Sequence, residues 1–194
     1  MVREGTRARD MGSAHSESLG LSHVIRSVAE REEGGVEHRA PTYEERLTQV
    51  GEFLASKRAI VLATCEGDHV TARTVSFASR GTDVYFMSFR SNTKCRQIQS
   101  NPNVALCRDN VQIEGTARIL GPVTDTGNAE IAELLREKYP NDYAGYAAHP
   151  EMVLLRVVPS RIGVYRKEGD EHLVDRLDVG STTLTVEHLA GRER

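Results

Sequence analysis

The chain has 194 residues, of which 39% are hydrophobic and 27% are charged, a composition typical of a soluble globular domain with an additional segment. Its net charge of -3 lacks the basic surplus that general nucleic-acid binders carry. No apolar run approaches the roughly 20 residues of a membrane helix, and the N-terminal segment lacks the apolar block of a secretory signal. We therefore expect a cytoplasmic protein with neither a nucleic-acid nor a membrane partner.

The N-terminal segment differs in composition from the rest of the chain. Residues 1–41 contain no Phe, Trp or Tyr and mix acidic residues with arginines, glycines and serines. Such a segment can bury little apolar surface, so we predict a disordered or weakly helical tail there, with residues 21–28 as its helical stretch. Thr42 followed by Glu45 matches the capping box that begins a helix, and this pattern predicts a folded domain over residues 42–194.

The periodicity of apolar residues predicts the elements of this domain in chain order. Helical spacing of Leu47, Val50 and Leu54 predicts a first helix over residues 43–57. The predicted strands cover residues 59–65, 70–79, 84–89, 104–107, 111–120, 152–158 and 162–166, with a further strand near 173–177. Two more helices are predicted over 93–100 and 129–139, and Pro140 is expected to close the second.

The connections between these elements predict the fold class. The first three strands read as a meander of hairpins, and strict alternation of strands and helices is absent. We therefore predict a mainly β, α+β fold, in which an antiparallel sheet closes or nearly closes into a barrel with flanking helices.

Signatures of the common enzyme classes are missing from the sequence. It contains no GxGxxG, GxxxxGK or GxSxG motif, and no pair of carboxylates marks a hydrolase. The seven histidines lack ligand spacing and the three cysteines form no CxxC pair, so we predict no metal site and a reducing compartment. The catalytic residues stay unassigned.

One segment favours an anion. Ser88-Phe-Arg-Ser-Asn-Thr-Lys94 follows a predicted strand and opens a predicted helix, which brings hydroxyls, exposed amides and a lysine to a helix N-terminus. Arg73 lies in the middle of the preceding strand, so Arg73 and Lys94 could converge on one phosphate. Taken singly, Arg73 reads equally well as a solvated strand residue, and Ser91 and Asn92 as helix caps.

Four landmarks in this order resemble the pyridoxamine 5'-phosphate oxidase-like, FMN-binding split-barrel family over residues 43–178. They are Arg73-Thr74-Val75; Met87-Ser88 with Thr93-Lys94 and Asn101-Pro102; Val111-Gln-Ile-Glu-Gly115; and Pro159-Ser-Arg-Ile162 through Tyr165 to Leu173-Val-Asp-Arg176. The resemblance implies an antiparallel split barrel, FMN held between the subunits of a homodimer, and an oxidoreductase acting on a small organic substrate. A non-catalytic flavin- or haem-binding protein and a deazaflavin-dependent reductase are the alternatives on the same fold.

The resemblance also assigns cofactor-binding residues. It implies that Arg73 and Lys94 bind the FMN phosphate, that Thr74 and Val75 place backbone groups along the ring edge, and that Arg176 ends the family's R-L-H-D-R motif. Asn110, or the neighbouring Gln112, stands where the oxidases have a glutamine, and Tyr165 stands where they have a tryptophan. The complete set is Arg73, Thr74, Val75, Met87, Ser88, Thr93, Lys94, Asn110, Gln112, Tyr165 and Arg176.

The chain departs from the oxidases at the substrate-binding motif. His172 replaces the motif's first arginine and Val174 replaces its histidine. Because valine can neither donate a hydrogen bond nor carry charge, a contact to a phosphorylated pyridine is lost. We therefore expect no pyridoxamine phosphate oxidase activity, and regard Tyr165, Asn110 and His172 as the candidates near the flavin ring.

Overall fold

The computed structural model of this protein describes residues 40–189. The predicted N-terminal tail, including its helical stretch, falls almost entirely on residues 1–39, outside the described part. Residues 40–189 form nine strands, four α-helices and one 3-10 turn. Among these residues, no helix combines the length and apolar character of a membrane span.

Helices and groups of strands follow one another along the chain. The helices are α1 (Tyr43–Ser56), α2 (Thr93–Ser100), α3 (Ala129–Lys138) and α4 (Pro140–Tyr146), with the 3-10 turn at Thr126–Asn128. The strands are β1 (Ala59–Glu66), β2 (His69–Ser76), β3 (Ala78–Arg80), β4 (Asp83–Phe89), β5 (Asn103–Arg108), β6 (Val111–Pro122), β7 (Met152–Glu168), β8 (Glu171–Asp178) and β9 (Thr183–Leu189).

The strands form one antiparallel sheet that closes on itself. The order is β2-β1-β5-β6-β7-β4-β3, and β8 and β9 extend the sheet from β7. Because β2 continues into β3 through the single residue Phe77, the two ends of this order belong to one continuous segment. The predicted mainly β fold, an antiparallel split barrel with flanking helices, is confirmed.

Two apolar clusters hold the barrel together. The larger fills its interior, with Phe77, Phe86 and Leu155 fully buried, and α1 covers this cluster with Val50 and Leu54. α1 begins at the predicted capping box, in which the amide of Glu45 donates to Oγ1 of Thr42 at 3.2 Å and the amide of Thr42 donates back to the Glu45 carboxylate at 2.7 Å. The smaller cluster lies beneath α3 and α4.

Several predicted strand boundaries were wrong. The strand predicted over residues 70–79 bends at Phe77, so its first part pairs with β1 and its second part with β4. The predicted strands 152–158 and 162–166 are one strand, β7, which crosses a register shift opposite Gly115. Gly115 lies in β6 at a point where the backbones of β6 and β7 approach closely. A Cβ at position 115 would lie only 2.3 Å from the carbonyl oxygen of Val158, so the position suits glycine.

Two further features differ from the prediction. The helix predicted over 129–139 does end before Pro140, at Lys138, but Pro140 also begins a further helix, α4, because a proline fits the first position of a helix, where its missing N–H is not needed. β9 was not predicted, because most of its residues are exposed and the short alternation of Leu184 and Val186 is not continued by His188.

Candidate functional site

Arg73 lies in the middle of β2, and its guanidinium turns towards α2. Nη1 donates to Oγ1 of Thr64 at 2.5 Å, while Nη2 donates to Oγ1 of Thr71 and to Oε1 of Gln97, the latter at 3.3 Å. Burial lowers the pKa of Arg73, although an arginine stays charged at neutral pH. No carboxylate within residues 40–189 pairs with this guanidinium, so its positive charge is uncompensated there.

Lys94 adds a second cation in the first turn of α2. Its Nζ donates to Oγ of Ser88 at 3.0 Å. Burial is the main cause that lowers the pKa of Lys94; Cys95 opposes this, and the charge of Arg73 lowers it further. Arg73 and Lys94 are thus both tied to α2, Arg73 through its contact with Gln97, and in the described part of the chain neither has a carboxylate partner.

The route by which these residues meet differs from the prediction. Arg73 and Ser88 were predicted on neighbouring hairpin strands, but the sheet order separates β2 from β4. α2 connects them instead, because Lys94 in its first turn contacts Ser88 and Gln97 in its second turn contacts Arg73.

The start of α2 is open to an anion. Asn92 occupies the N-cap position, but its side chain makes no cap hydrogen bond and instead donates to Oγ of Ser88 at 3.1 Å. The interpretation of Asn92 as a side-chain cap was therefore wrong. Helix amides without a side-chain cap point towards the space in front of the helix. The exposed side chain of Thr93 lies at the same end.

A second group of predicted residues lies on the outer face of the sheet. The strand registers align Thr74, Val61, Cys107, Gln112, Gly163, Arg176 and Thr185 in one row across seven strands. Gln112, Gly163 and Arg176 also line a groove of about 540 Å³, here called the outer groove. Gly163 leaves the middle of this groove open because it has no side chain, and Arg176 pairs with Glu187 at its edge.

Asn110 and Tyr165 lie at the end of this face. Nδ2 of Asn110 donates to the carbonyl oxygen of Tyr165 at 2.7 Å, and the amide of Tyr165 donates to the carbonyl oxygen of Asn110 at 2.9 Å. The side-chain amide of Asn110 is therefore engaged by backbone, whereas the exposed Gln112 has no side-chain hydrogen bond to the rest of residues 40–189. The geometry thus favours Gln112 over Asn110 as the amide available to a ligand.

Tyr165 forms a pair with His172. The Tyr165 ring is 41% exposed. Its hydroxyl shares a hydrogen bond with Nδ1 of His172, and the two ring centroids lie 5.8 Å apart. This phenol–imidazole pair places a proton donor and acceptor on the same face as Gln112.

A single chain does not gather all the predicted residues. Arg73, Ser88 and Lys94 meet at α2, whereas Thr74, Gln112, Tyr165 and Arg176 lie on the outer face. Five strand spacings separate Thr74 from Arg176, roughly 24 Å along the sheet at about 4.8 Å each. The side chain of Val75 is buried in the barrel core, and Met87 packs against the smaller apolar cluster.

Sequence reasoning missed the residues that hold Arg73. Thr64 and Thr71 face each other across the first hairpin, and Gln97 lies three residues after Lys94, on the same side of α2. The helical spacing from Lys94 to Gln97 was an available signal.

Within residues 40–189, no group of three or more His, Cys, Asp or Glu side chains is arranged to bind a metal ion.

Solved structures of several known proteins are similar to this architecture. PhzG from Burkholderia lata, solved with tetrahydrophenazine-1-carboxylic acid, is 18% identical, with a TM-score of 0.56 over 81% of this chain and 100% of PhzG. Campylobacter jejuni ChuZ is 14% identical, with a TM-score of 0.61 over 80% and 67% of the two chains. HutZ, the haem storage protein from Vibrio cholerae, is 12% identical, with a TM-score of 0.52 over 64% and 95%.

Identities this low show the fold alone. No curated relative matches the chain by sequence. The family described as pyridoxamine 5'-phosphate oxidase, however, matches residues 47–165, more than half of the chain's 194 residues. The chain therefore belongs to the pyridoxamine 5'-phosphate oxidase-like, FMN-binding split-barrel family.

Proposed function

We propose that this protein is an FMN-dependent oxidoreductase that acts as a homodimer on a small organic substrate. One observation carries the proposal: Lys94, at the start of α2, contacts Ser88, and Arg73 contacts Gln97 one turn later on the same helix, with no carboxylate partner for either cation in the described part of the chain. Two uncompensated cations and a hydroxyl form the donor set that a phosphate dianion requires.

The residues present fit the phosphate of FMN. An ammonium group has three donors, and within residues 40–189 only one donor of Lys94 is engaged, by Ser88. A bound dianion would remove the repulsion between Arg73 and Lys94, which contributes to the lowered pKa of Lys94.

The outer face supports the homodimer. Val61 is 41% exposed, Ala105 and Cys107 are exposed beside it on β5, and none of the described helices covers this face. A sheet face of small apolar side chains is suited to pack against a second copy. We propose that the second subunit contributes its Gln112 and Tyr165, which the first chain holds far from its own Lys94.

The substrate differs from that of the oxidases that give the family its name. FMN supplies the hydride and electron chemistry when bound. Around the outer groove, Arg176 is already paired with Glu187, and Val174 offers no donor. Tyr165 and His172 can hold and pass a proton at the Tyr165 oxygen. We therefore propose a substrate that carries a neutral hydroxyl or amine group rather than a phosphate.

Titration with FMN and riboflavin tests the proposal. Arg73→Ala and Lys94→Ala should each weaken FMN by roughly ten- to a hundredfold, since a hydrogen bond to a charged group contributes about 1.5–3 kcal/mol. Riboflavin, which lacks the phosphate, should bind each variant as it binds the parent. Arg73→Lys should recover only part of the loss. Lysine keeps the positive charge, but it cannot form the bidentate contact of arginine.

Arg96→Ala is the matched control, because Arg96 lies on the same helix and pairs with Glu66 at the surface. Parent-like FMN binding by both alanine variants would contradict the proposal. A purified protein that releases haem or a deazaflavin on denaturation, instead of FMN, would contradict it equally.

A further inference from the structure

We infer that Gln97 is a positioning residue of the phosphate site, which holds the guanidinium of Arg73 in place while leaving its charge free for an anion. The inference rests on the proposed function and names a residue to which neither the sequence nor the family resemblance assigned a role. Gln97 is 1% exposed and lies one helical turn after Lys94 on α2.

Hydrogen bonds run in one direction, from Arg73 to Gln97. Arg73 can only donate, so the hydroxyls of Thr64 and Thr71 accept from it. Each hydroxyl in turn donates a hydrogen bond to Oε1 of Gln97, at 2.5 Å from Thr64 and 2.8 Å from Thr71. Nη2 of Arg73 also donates to Oε1 directly, at 3.3 Å. One amide oxygen thus closes a network of five hydrogen bonds around the guanidinium.

The other end of the amide fixes its orientation. Nε2 of Gln97 donates to the carbonyl oxygen of His69 at 3.5 Å, at the start of β2. Because the carbonyl of His69 requires a donor and the threonine hydroxyls require an acceptor, only one orientation of the amide satisfies both sides. Gln97 therefore ties α2, which carries Lys94, to the strand that carries Arg73.

The neutrality of Gln97 distinguishes Arg73 from the structural arginines of this chain. Arg46 and Arg166 both pair with Asp175, which is 0% exposed, and Arg156 pairs with Asp83. Carboxylates hold those guanidiniums and neutralise them. Arg73 is held instead by two hydroxyls, an amide oxygen and a backbone carbonyl. An arginine oriented without a counter-charge can supply that charge to a ligand.

Two substitutions of Gln97 distinguish its role in positioning Arg73 from the effect of a charge beside Arg73. Gln97→Glu keeps the acceptor and adds a carboxylate beside Arg73, so we expect FMN to bind about tenfold more weakly, with riboflavin binding unchanged and no loss of melting temperature. Gln97→Met keeps the shape and removes the acceptor, so it should also weaken FMN selectively, by roughly three- to tenfold. The ratio of the FMN and riboflavin dissociation constants is the measurement.

The control is Gln99→Glu, which adds the same charge at an exposed position on the same helix. It should leave the ratio at the parent value. In the Arg73→Ala background, Gln97→Met should cause no further loss of FMN affinity, because its effect passes through Arg73.

The outcomes separate this inference from the proposed function. If Arg73→Ala binds FMN as the parent does, the proposed phosphate site is wrong. If Arg73→Ala weakens FMN while both Gln97 variants keep the parent ratio, or weaken riboflavin equally, only the role of Gln97 is overturned. An additive loss from Gln97→Met in the Arg73→Ala background would overturn it as well.

Discussion

Lys94 has opposite effects on folding and on anion binding. Its ammonium group is half-buried, and burial together with the nearby Arg73 lowers its pKa from the ordinary value of 10.5. A lowered pKa means that the folded state binds this proton less readily than the unfolded chain does. Without an anion, the charge on Lys94 therefore destabilises the fold at neutral pH, at the position where we propose that a phosphate binds.

We expect Lys94→Met to stabilise the FMN-free protein while it weakens FMN binding. The destabilising contribution of Lys94 is fully present below its lowered pKa and is relieved as pH rises through that pKa towards 10.5. The variant should therefore melt at a higher temperature than the parent at pH 7, and the difference should shrink at alkaline pH. Thermal melts of flavin-free protein across pH measure both effects.

Lys167→Met serves as the control, because Lys167 is exposed on β7 and far from the phosphate site. It should show no such pH-dependent gain. A lower melting temperature for Lys94→Met at every pH would mean that Lys94 stabilises the fold, contrary to this expectation.

The sequence suggested Arg73 and Lys94 as candidates, because a cation at a helix start and another in a strand favour an anion whatever the details of packing. It did not predict the residues that contact Arg73. Thr64 and Gln97 lie 33 positions apart in the chain. Their contact depends on how α2 packs on the first hairpin, which local patterns do not determine.

At the level of elements, the bend at Phe77, where β2 becomes β3, joins the two ends of the sheet. Tyr139, at the end of α3, supports this bend, because its hydroxyl donates to the carbonyl oxygen of Phe77 at 2.7 Å and accepts from the Phe77 amide at 3.1 Å. The same hydroxyl contacts the carbonyl oxygen of Arg58. Burial raises the pKa of Tyr139, which keeps the phenol protonated and able to donate.

Tyr139→Phe should destabilise the protein by about 1–3 kcal/mol, because it leaves the carbonyl oxygen of Phe77 without its hydroxyl donor. Urea denaturation measures this change in the free energy of unfolding. The ratio of FMN to riboflavin affinity should stay near the parent value, since the variant removes no donor to the phosphate.

Tyr143→Phe is the matched control for this element. Tyr143 packs against the same cluster beneath α3 and α4, but no hydrogen bond within residues 40–189 involves its hydroxyl, so its removal should cost little. Equal stability of the Tyr139→Phe variant and the parent would show that the bend does not depend on this hydroxyl.

Element boundaries were hardest to predict where the barrel bends. The capping box at Thr42 and the apolar spacing of α1 are local signals, and the structure confirms that helix over Tyr43–Ser56. The bend at Phe77 and the register shift opposite Gly115 arise because the sheet must close. Neither feature leaves a local signal in the sequence. One strand was therefore predicted where the structure has β2 and β3, and two strands were predicted where it has β7 alone.

At the scale of the whole molecule, the barrel separates the two groups of predicted cofactor residues. Lys94 and Arg73 face the start of α2, whereas Gln112 and Tyr165 lie on the outer face, several strands away. The order of strands could not be read from the sequence, because it depends on pairings such as β1 with β5 that span more than 40 positions. Under the proposed function, a second chain brings both groups to one flavin, so we expect cofactor binding and dimerisation to be lost together.

Val61→Glu tests this linkage. Val61 lies in the middle of the exposed outer face, and in a symmetric dimer the variant places two like charges at the interface. Because like charges at an interface cost several kcal/mol, we expect dimerisation to weaken by on the order of a hundredfold or more, with loss of tight FMN binding although Arg73 and Lys94 are intact. Val186→Glu is the control, since Val186 is 39% exposed against 41% for Val61, and its side chain lies on the side of β9 opposite to that of Thr185, the β9 residue of the outer face. Sedimentation and FMN titration at matched concentrations measure the two properties, and a Val61→Glu monomer that still binds FMN as tightly as the parent would show that one chain forms the whole site.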